Sequence, residues 1–130
     1  MNVLSIRTKS LPNRKIAQMF RVLGQPIRLR IVLAIGLEEA CVCHLETALE
    51  MRQAYISQHL MALRRAGLVS SRRAGRNIFY SLTHPELLEI IRQSGTALGF
   101  PETALQITSN NSPLEHCPCP YCAGKEESNE

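Results

Sequence analysis

Residues 56–69 read ISQHLMALRRAGLV, and residues 70–82 continue as SSRRAGRNIFYSL. In the first segment Ile56, Leu60 and Leu63 recur three and four residues apart, the spacing that stacks side chains on one face of an α-helix. That helix spans about residues 53–66, and Gly67 closes it as the residue just past its end. From Val69 the period changes to two. Residues 69–73 and 78–82 read as short strands, with Ala74, Gly75, Arg76 and Asn77 as the turn between them. The pair is a β-hairpin with a basic tip.

Working upstream, Ile16, Met19, Phe20 and Leu23 form the stripe of an amphipathic helix that starts at Leu11 and ends near Gly24. Pro26 suits the first turn of a second helix. Ile27, Leu29, Ile31, Val32, Leu33 and Ile35 make it apolar on most faces, so it should be central and buried, stopping near Gly36. A third short helix fits residues 40–49, with Leu45, Ala48 and Leu49 inward. A brief turn at residues 50–52 joins it to the helix of residues 53–66, which makes a helix-turn-helix. Downstream, Thr83 followed three residues later by Glu86 is a capping-box pattern, with Pro85 in the first turn. The fifth helix carries Leu87, Leu88, Ile90, Ile91 and Leu98 and is closed by Gly99 and Pro101. The fold class is therefore mostly α with a β-hairpin wing, a winged helix-turn-helix.

Length and charge agree with this plan. A chain of 130 residues with 45% hydrophobic content is one domain with a tail to spare. The net charge of +4 hides a split: residues 1–80 hold 13 basic and 4 acidic side chains, and residues 81–130 hold 2 basic and 7 acidic. A basic front points to an electrostatic partner, with nucleic acid first. The longest apolar run, residues 31–37, is far short of the about 18 residues that a membrane span needs, and the Arg- and Lys-studded start lacks the apolar core of a signal peptide. The expected compartment is the cytoplasm, without a membrane partner. There, five cysteines read as metal ligands or redox groups before they read as structural disulfides.

On the helix of residues 53–66, Ala54, Gln58, Met61 and Arg65 lie opposite the core face, with Gln53 and Ser57 on one flank and Tyr55 on the other. Such a short, polar, largely uncharged face suits base edges in the major groove, where Gln can bond adenine bidentately. Arg64, Arg65, Arg72, Arg73 and Arg76 would then hold phosphates, adding affinity without sequence information.

Four segments carry a family resemblance: LGQPIRLRIVLAI (residues 23–35), CVCHL (residues 41–45), ISQHLMALRRAGLV (residues 56–69) and GRNIFYSL (residues 75–82). Through them the chain, over about residues 12–98, resembles the ArsR/SmtB family of bacterial metal-sensing repressors. The resemblance implies a homodimer joined through the first and fifth helices. Two recognition helices would then enter successive major grooves of an inverted-repeat operator, about 34 Å apart. The chain accordingly divides into a flexible basic arm (residues 1–10), a winged helix DNA-binding and dimerisation domain (residues 11–100) and an irregular tail (residues 101–130) holding Cys117, Cys119 and Cys122.

Cys41 and Cys43 flank Val42 where the third helix begins. Residues two apart on a regular helix point about 200° away from each other. The two sulfurs can share a ligand only if the chain is extended or unwound there. An ion taking both sulfurs should then distort the start of that helix, next to the recognition helix. The resemblance implies a thiolate site of the kind arsenic and cadmium/lead sensors build on Cys-Val-Cys. The chain departs from the arsenic pattern at Glu46, where a third Cys would stand, and from the cadmium/lead pattern in having no Cys in residues 1–40. The family's zinc site on the fifth helix is missing too, since residues 84–98 offer only His84, Glu86 and Glu89.

Cys117, Cys119 and Cys122 can complete the set with Cys41 and Cys43. Three sulfurs suit trivalent arsenic or antimony, a preference the resemblance implies; four suit cadmium, lead or zinc. His44 and His116 are spare nitrogen ligands, with His44 expected at the surface. The expectation is a metal(loid)-responsive repressor, not an enzyme, released from its operator by a thiophilic ion; the alternative is a thiol redox-sensing repressor using the same cysteines. Residues 119–122, CPYC, match the glutaredoxin active-site motif, but no βαβ pattern surrounds them. A purely structural zinc knuckle in the tail is a further option.

Overall fold

The computed structural model describes residues 11–105. Helix α1 (Leu11–Leu23) leads into α2 (Pro26–Ile35), strand β1 (Glu39–Cys41), α3 (Val42–Leu49) and α4 (Gln53–Arg65). The hairpin β2 (Val69–Ala74) and β3 (Asn77–Leu82) follows, then α5 (Glu86–Ala97) and a 3₁₀ turn (Glu102–Ala104). Five helices and a small antiparallel sheet make the winged helix fold, as the periodicity predicts. No helix among the described residues is long and apolar enough to cross a membrane.

Helix α2 is the hub. Ile27, Ile31, Val32, Leu33, Ala34 and Ile35 are all buried, which is why its sequence is apolar on most faces. Leu45 and Leu49 of α3, Ile56, Leu60 and Leu63 of α4, and Leu87, Leu88 and Ile91 of α5 close around it. Ile56, Leu60 and Leu63 have no exposed surface, so each stabilises the recognition helix by about 1.5–3 kcal/mol of burial.

The sheet has three strands, ordered β1-β3-β2. Strand β1 is not foreshadowed in the sequence, and the third helix starts two residues later than the expected residue 40. Glu39, Ala40 and Cys41 lie in extended chain opposite Ser81, Tyr80 and Phe79, and α3 begins only at Val42. Three residues are too few for an alternating pattern to show, and only the register with β3 reveals them. The hairpin turn is also tighter than expected. Ala74 pairs with Asn77, leaving Gly75 and Arg76 as the loop, and Gly75 takes the positive φ of 63° that a two-residue turn requires.

Side chains alternate across the sheet, so it has two unlike faces. Ala40, Val69 and Leu82 join the main core. Cys41 and Phe79 are buried on the other face, where Cys43 and Ala74 pack with them in a second, small cluster.

The capping box at the start of α5 does not form. Its first amides are taken by backbone instead, from Leu87 N to His84 O at 3.1 Å and Leu88 N to Pro85 O at 3.1 Å. The Thr83 amide is still tied to Leu68 O at 3.0 Å, which keeps Thr83 at the end of the sheet and two residues from the cap position. After α5 the chain turns at Gly99 (φ 87°), and Leu105 packs so closely on Gly95 that a Cβ there would meet Leu105 Cδ1 at 3.0 Å.

Candidate functional site

Helix α4 presents the surface that the sequence assigns to DNA. Gln53, Ala54, Gln58, Arg64 and Arg65 are exposed, Ser57 is half-buried, and the large side chains Tyr55 and Met61 are 44% and 53% exposed. Large apolar groups left in water on a helix whose other face is fully buried are the kind that meet thymine methyls in a major groove. On the wing, Arg72, Arg73 and Arg76 are exposed.

Arg72 is already engaged. Its Nε donates to Glu39 Oε2 at 2.8 Å and its Nη2 to Glu39 Oε1, and its guanidinium lies 4.9 Å from the centre of the Phe79 ring. The pair is solvated, with the Arg72 side chain 54% exposed, so it contributes at most about 1 kcal/mol, and the ring contact a similar amount.

His59 was not singled out by sequence reasoning, yet it ties the recognition helix to the rest of the fold. It is buried, and its Nδ1 accepts from Arg28 Nε at 3.1 Å, while Arg28 Nη1 donates to Val22 O at 3.0 Å. Accepting at Nδ1 places the ring proton on Nε2. Burial, and then the Arg28 charge, hold this imidazole below the usual histidine range. Its ring stands edge-on to Tyr55, with centroids 4.7 Å apart. A signal for burial was present: at 100° per residue His59 falls about 60° from Ile56, on the flank of the core face. Its partner Arg28 stands 31 residues away, and nothing local announces it.

Cys41 and Cys43 meet. Their Cα atoms are 5.4 Å apart and their sulfurs are joined as a disulfide. Cys41 is the N-cap of α3, with extended backbone (φ −80°, ψ 161°), and its Sγ accepts from the His44 amide at 3.2 Å. The extended chain that convergence requires is thus supplied by β1, before the helix, and α3 need not unwind for the sulfurs to approach. A backbone N–H aimed at Sγ also stabilises negative charge on that sulfur, the form in which cysteine ligates metals. His44, expected at the surface, is buried: the third residue of α3 turns into the interior next to Leu45.

Among the described residues no three His, Cys, Asp or Glu side chains converge to hold a metal ion. Cys117, Cys119, Cys122 and His116 lie outside the described residues.

Comparison with known proteins places this arrangement. The model of the bacterial regulatory protein arsR family matches residues 25–71, which run from the start of α2 into the wing. A biofilm growth-associated repressor of Agrobacterium fabrum is 33% identical over 91 residues, covering 70% of this chain and 78% of the relative. The chain belongs to the ArsR family. The arsenic resistance transcriptional regulator ArsR1 of Pseudomonas putida is 46% identical to this ArsR-family chain over 70 residues, 53% of the chain. Reduced HlyU from Vibrio cholerae shares the fold with a TM-score of 0.62 and 28% identity, over 72% of the chain and 98% of HlyU. The chain spans 54% to 57% of the length of several curated relatives. The two curated relatives named here are a repressor and a transcriptional regulator, and the family is one of bacterial regulatory proteins.

Proposed function

We propose that this ArsR-family regulator is a cysteine-switched repressor. A homodimer holds an inverted-repeat operator through two copies of α4 and the wing, with Gln53, Ala54, Tyr55, Ser57, Gln58 and Met61 at base edges. Arg64, Arg65, Arg72, Arg73 and Arg76 hold phosphates. A thiophilic ion, arsenite or antimonite in one form and cadmium or lead in another, with zinc as a further candidate, binds Cys41 and Cys43 and weakens the grip on DNA. Cys117, Cys119 and Cys122 supply the remaining thiolates. The switch works in a reducing compartment, which we take to be the cytoplasm.

The observation that carries this reading is the convergence of Cys41 and Cys43 at the joint between the sheet and α3. Two thiolates preset on one side of the chain lower the ordering cost of binding an ion that needs both. The Pseudomonas relative's name adds support for arsenic. For the dimer, support comes from Ile16 and Phe20 of α1 and from Leu98 and Phe100 beyond α5, large apolar groups left about half or more exposed in the single chain. The coupling between ion and DNA is of the order of ~1–3 kcal/mol and reciprocal, so operator DNA weakens ion binding equally.

Titration of the reduced chain with arsenite, cadmium, lead and zinc tests this. Thiolate charge-transfer absorbance gives the ligand count, and operator anisotropy gives release. Cys41→Ser and Cys43→Ser should keep DNA binding and lose release; release that survives both puts the site elsewhere. Truncation at residue 110 should lower ion affinity, and unchanged affinity rejects the tail ligands. The joined sulfurs favour a second reading, in which oxidation of the same pair is the signal. Peroxide that releases DNA from ion-free protein selects it.

A further inference from the structure

The thiol pair shares its face of the sheet with two residues that have no place in the DNA surface, Glu39 and Phe79. Cys41 stands directly opposite Phe79, and Phe79 directly opposite Arg72, so the three form one row across β1, β3 and β2. Directly opposed residues project to the same side of a sheet. Cys41 and Phe79 are 2% and 3% exposed, and Cys43 and Ala74 complete their cluster. The Arg72 guanidinium is its outer layer: it lies over the Phe79 ring and reaches past it to Glu39 on β1. In this docked position, Nε and Nη2 of a wing arginine are committed to a carboxylate, and the same N–H groups cannot hold a phosphate.

We propose that Glu39 and Phe79 are positioning residues for Arg72. They hold it on the sheet while the Cys41–Cys43 pair is closed, and they let it go to a DNA phosphate when the pair is open. The inference rests on reading this pair as the effector input. Opening the bond by exchange with a thiol reductant, two molecules of which give up two electrons and two protons and end as a disulfide, leaves two thiols on the chain. Two free thiols take more room than a bonded pair, because non-bonded sulfurs cannot approach to covalent distance. Cys41 is enclosed, and its cross-strand neighbour is the Phe79 ring, so the ring shifts and Arg72 loses its platform. The pair is linked in this way to the wing, through contacts that bypass the recognition helix.

The test uses the full chain with Cys117, Cys119 and Cys122 changed to Ser, and an operator duplex selected from a randomised pool by the reduced protein. Diamide closes the pair: the Sγ–Sγ bond forms while the azo N=N takes the two electrons and two protons and becomes a hydrazine. Mass and thiol titration verify closure. The readout is the slope of log affinity against log salt concentration, which counts phosphate contacts. Closing the pair is expected to lower that slope by about 0.9 per subunit, one phosphate contact each. Glu39→Ala and Phe79→Leu should keep the reduced-form slope when closed, and Arg72→Gln should show the lower slope in both states. Glu39 stands outside the row, opposite Ser81, with its side chain partly exposed, so Glu39→Ala keeps the test open even if Phe79→Leu fails to fold. Weaker binding on closure with an unaltered slope overturns the proposal. So does a closed Glu39→Ala protein that loses as much slope as its parent. Closure that leaves DNA binding unchanged overturns this proposal together with the redox reading of the pair, whereas the ion-driven reading fails only if ion-induced release survives in Cys41→Ser and Cys43→Ser, so the failures are distinguishable.

Discussion

At Cys41 one residue is both the last of a strand and the cap of a helix, and this double position brings two sulfurs together at a spacing that a helix would splay apart. His59 is the second residue whose surroundings outweigh its type. Its neutral ring accepts from Arg28, so the folded chain resists a proton that the unfolded chain takes up below about pH 6.5. Stability from this site is fully present above that pH and is lost as pH falls through the lower, folded value. We expect the urea midpoint to decline below about pH 6.5, and to decline less in His59→Gln; equal pH profiles for the two proteins would falsify the assignment. At the exposed end of the same chain of contacts, Tyr55→Ala should weaken operator binding while lowering stability by no more than the about 0.5–1.5 kcal/mol of its edge-on contact with His59, read from the urea midpoint.

The turn between α3 and α4 decides how the recognition helix is presented. Glu50 holds it in the left-handed region, with φ 54° and ψ 45°, which costs an ordinary residue about 1–2 kcal/mol. Glu50→Gly is therefore expected to raise stability by about 1 kcal/mol after the extra freedom of the unfolded glycine is subtracted, measured by urea unfolding. A loss of stability would mean that the Glu50 side chain contributes more than its backbone costs. On α4 itself, Gln58 stands opposite the core residues. Gln58→Ala should reduce discrimination between the operator and single-base variants by about 1–3 kcal/mol at one position while leaving the salt slope unchanged. The residues assigned to base contact on α4 are exposed, apart from half-buried Ser57, because a thirteen-residue helix with three buried apolar anchors, Ile56, Leu60 and Leu63, has its outward face set by periodicity alone. Strand β1 escaped the same reading because three residues carry no period.

For the whole molecule, the unfinished surface is the one made by α1, α5 and the segment after it. Of the α1 stripe read from the sequence, only Leu23 is buried, while Ile16 and Phe20 are about half exposed. An apolar cavity of about 380 Å³ opens between Phe20, Leu23, Leu29, Ile91, Leu98 and Leu105. In the proposed dimer a second copy covers this face. Phe20→Glu and Leu98→Glu should shift the chain to monomers in sedimentation and weaken operator binding by orders of magnitude, because each half-site would then bind alone. Dimers that persist in both variants would move the interface elsewhere.

By itself the sequence determined the order and type of the longer elements, the buried face of α4, the basic wing and the presence of paired thiols. Each of these follows from local period, from turn residues or from adjacency along the chain. Only the tertiary structure decided that Cys41 is extended and faces Phe79, that Arg72 is docked on Glu39, and that His59 answers to Arg28. Those partners stand 31 to 38 residues apart. The reason is physical. Helix periodicity is written in neighbours, but cross-strand register and buried polar pairing are set when separate elements close on one core, so their partners are chosen by packing and leave no mark on the residues in between.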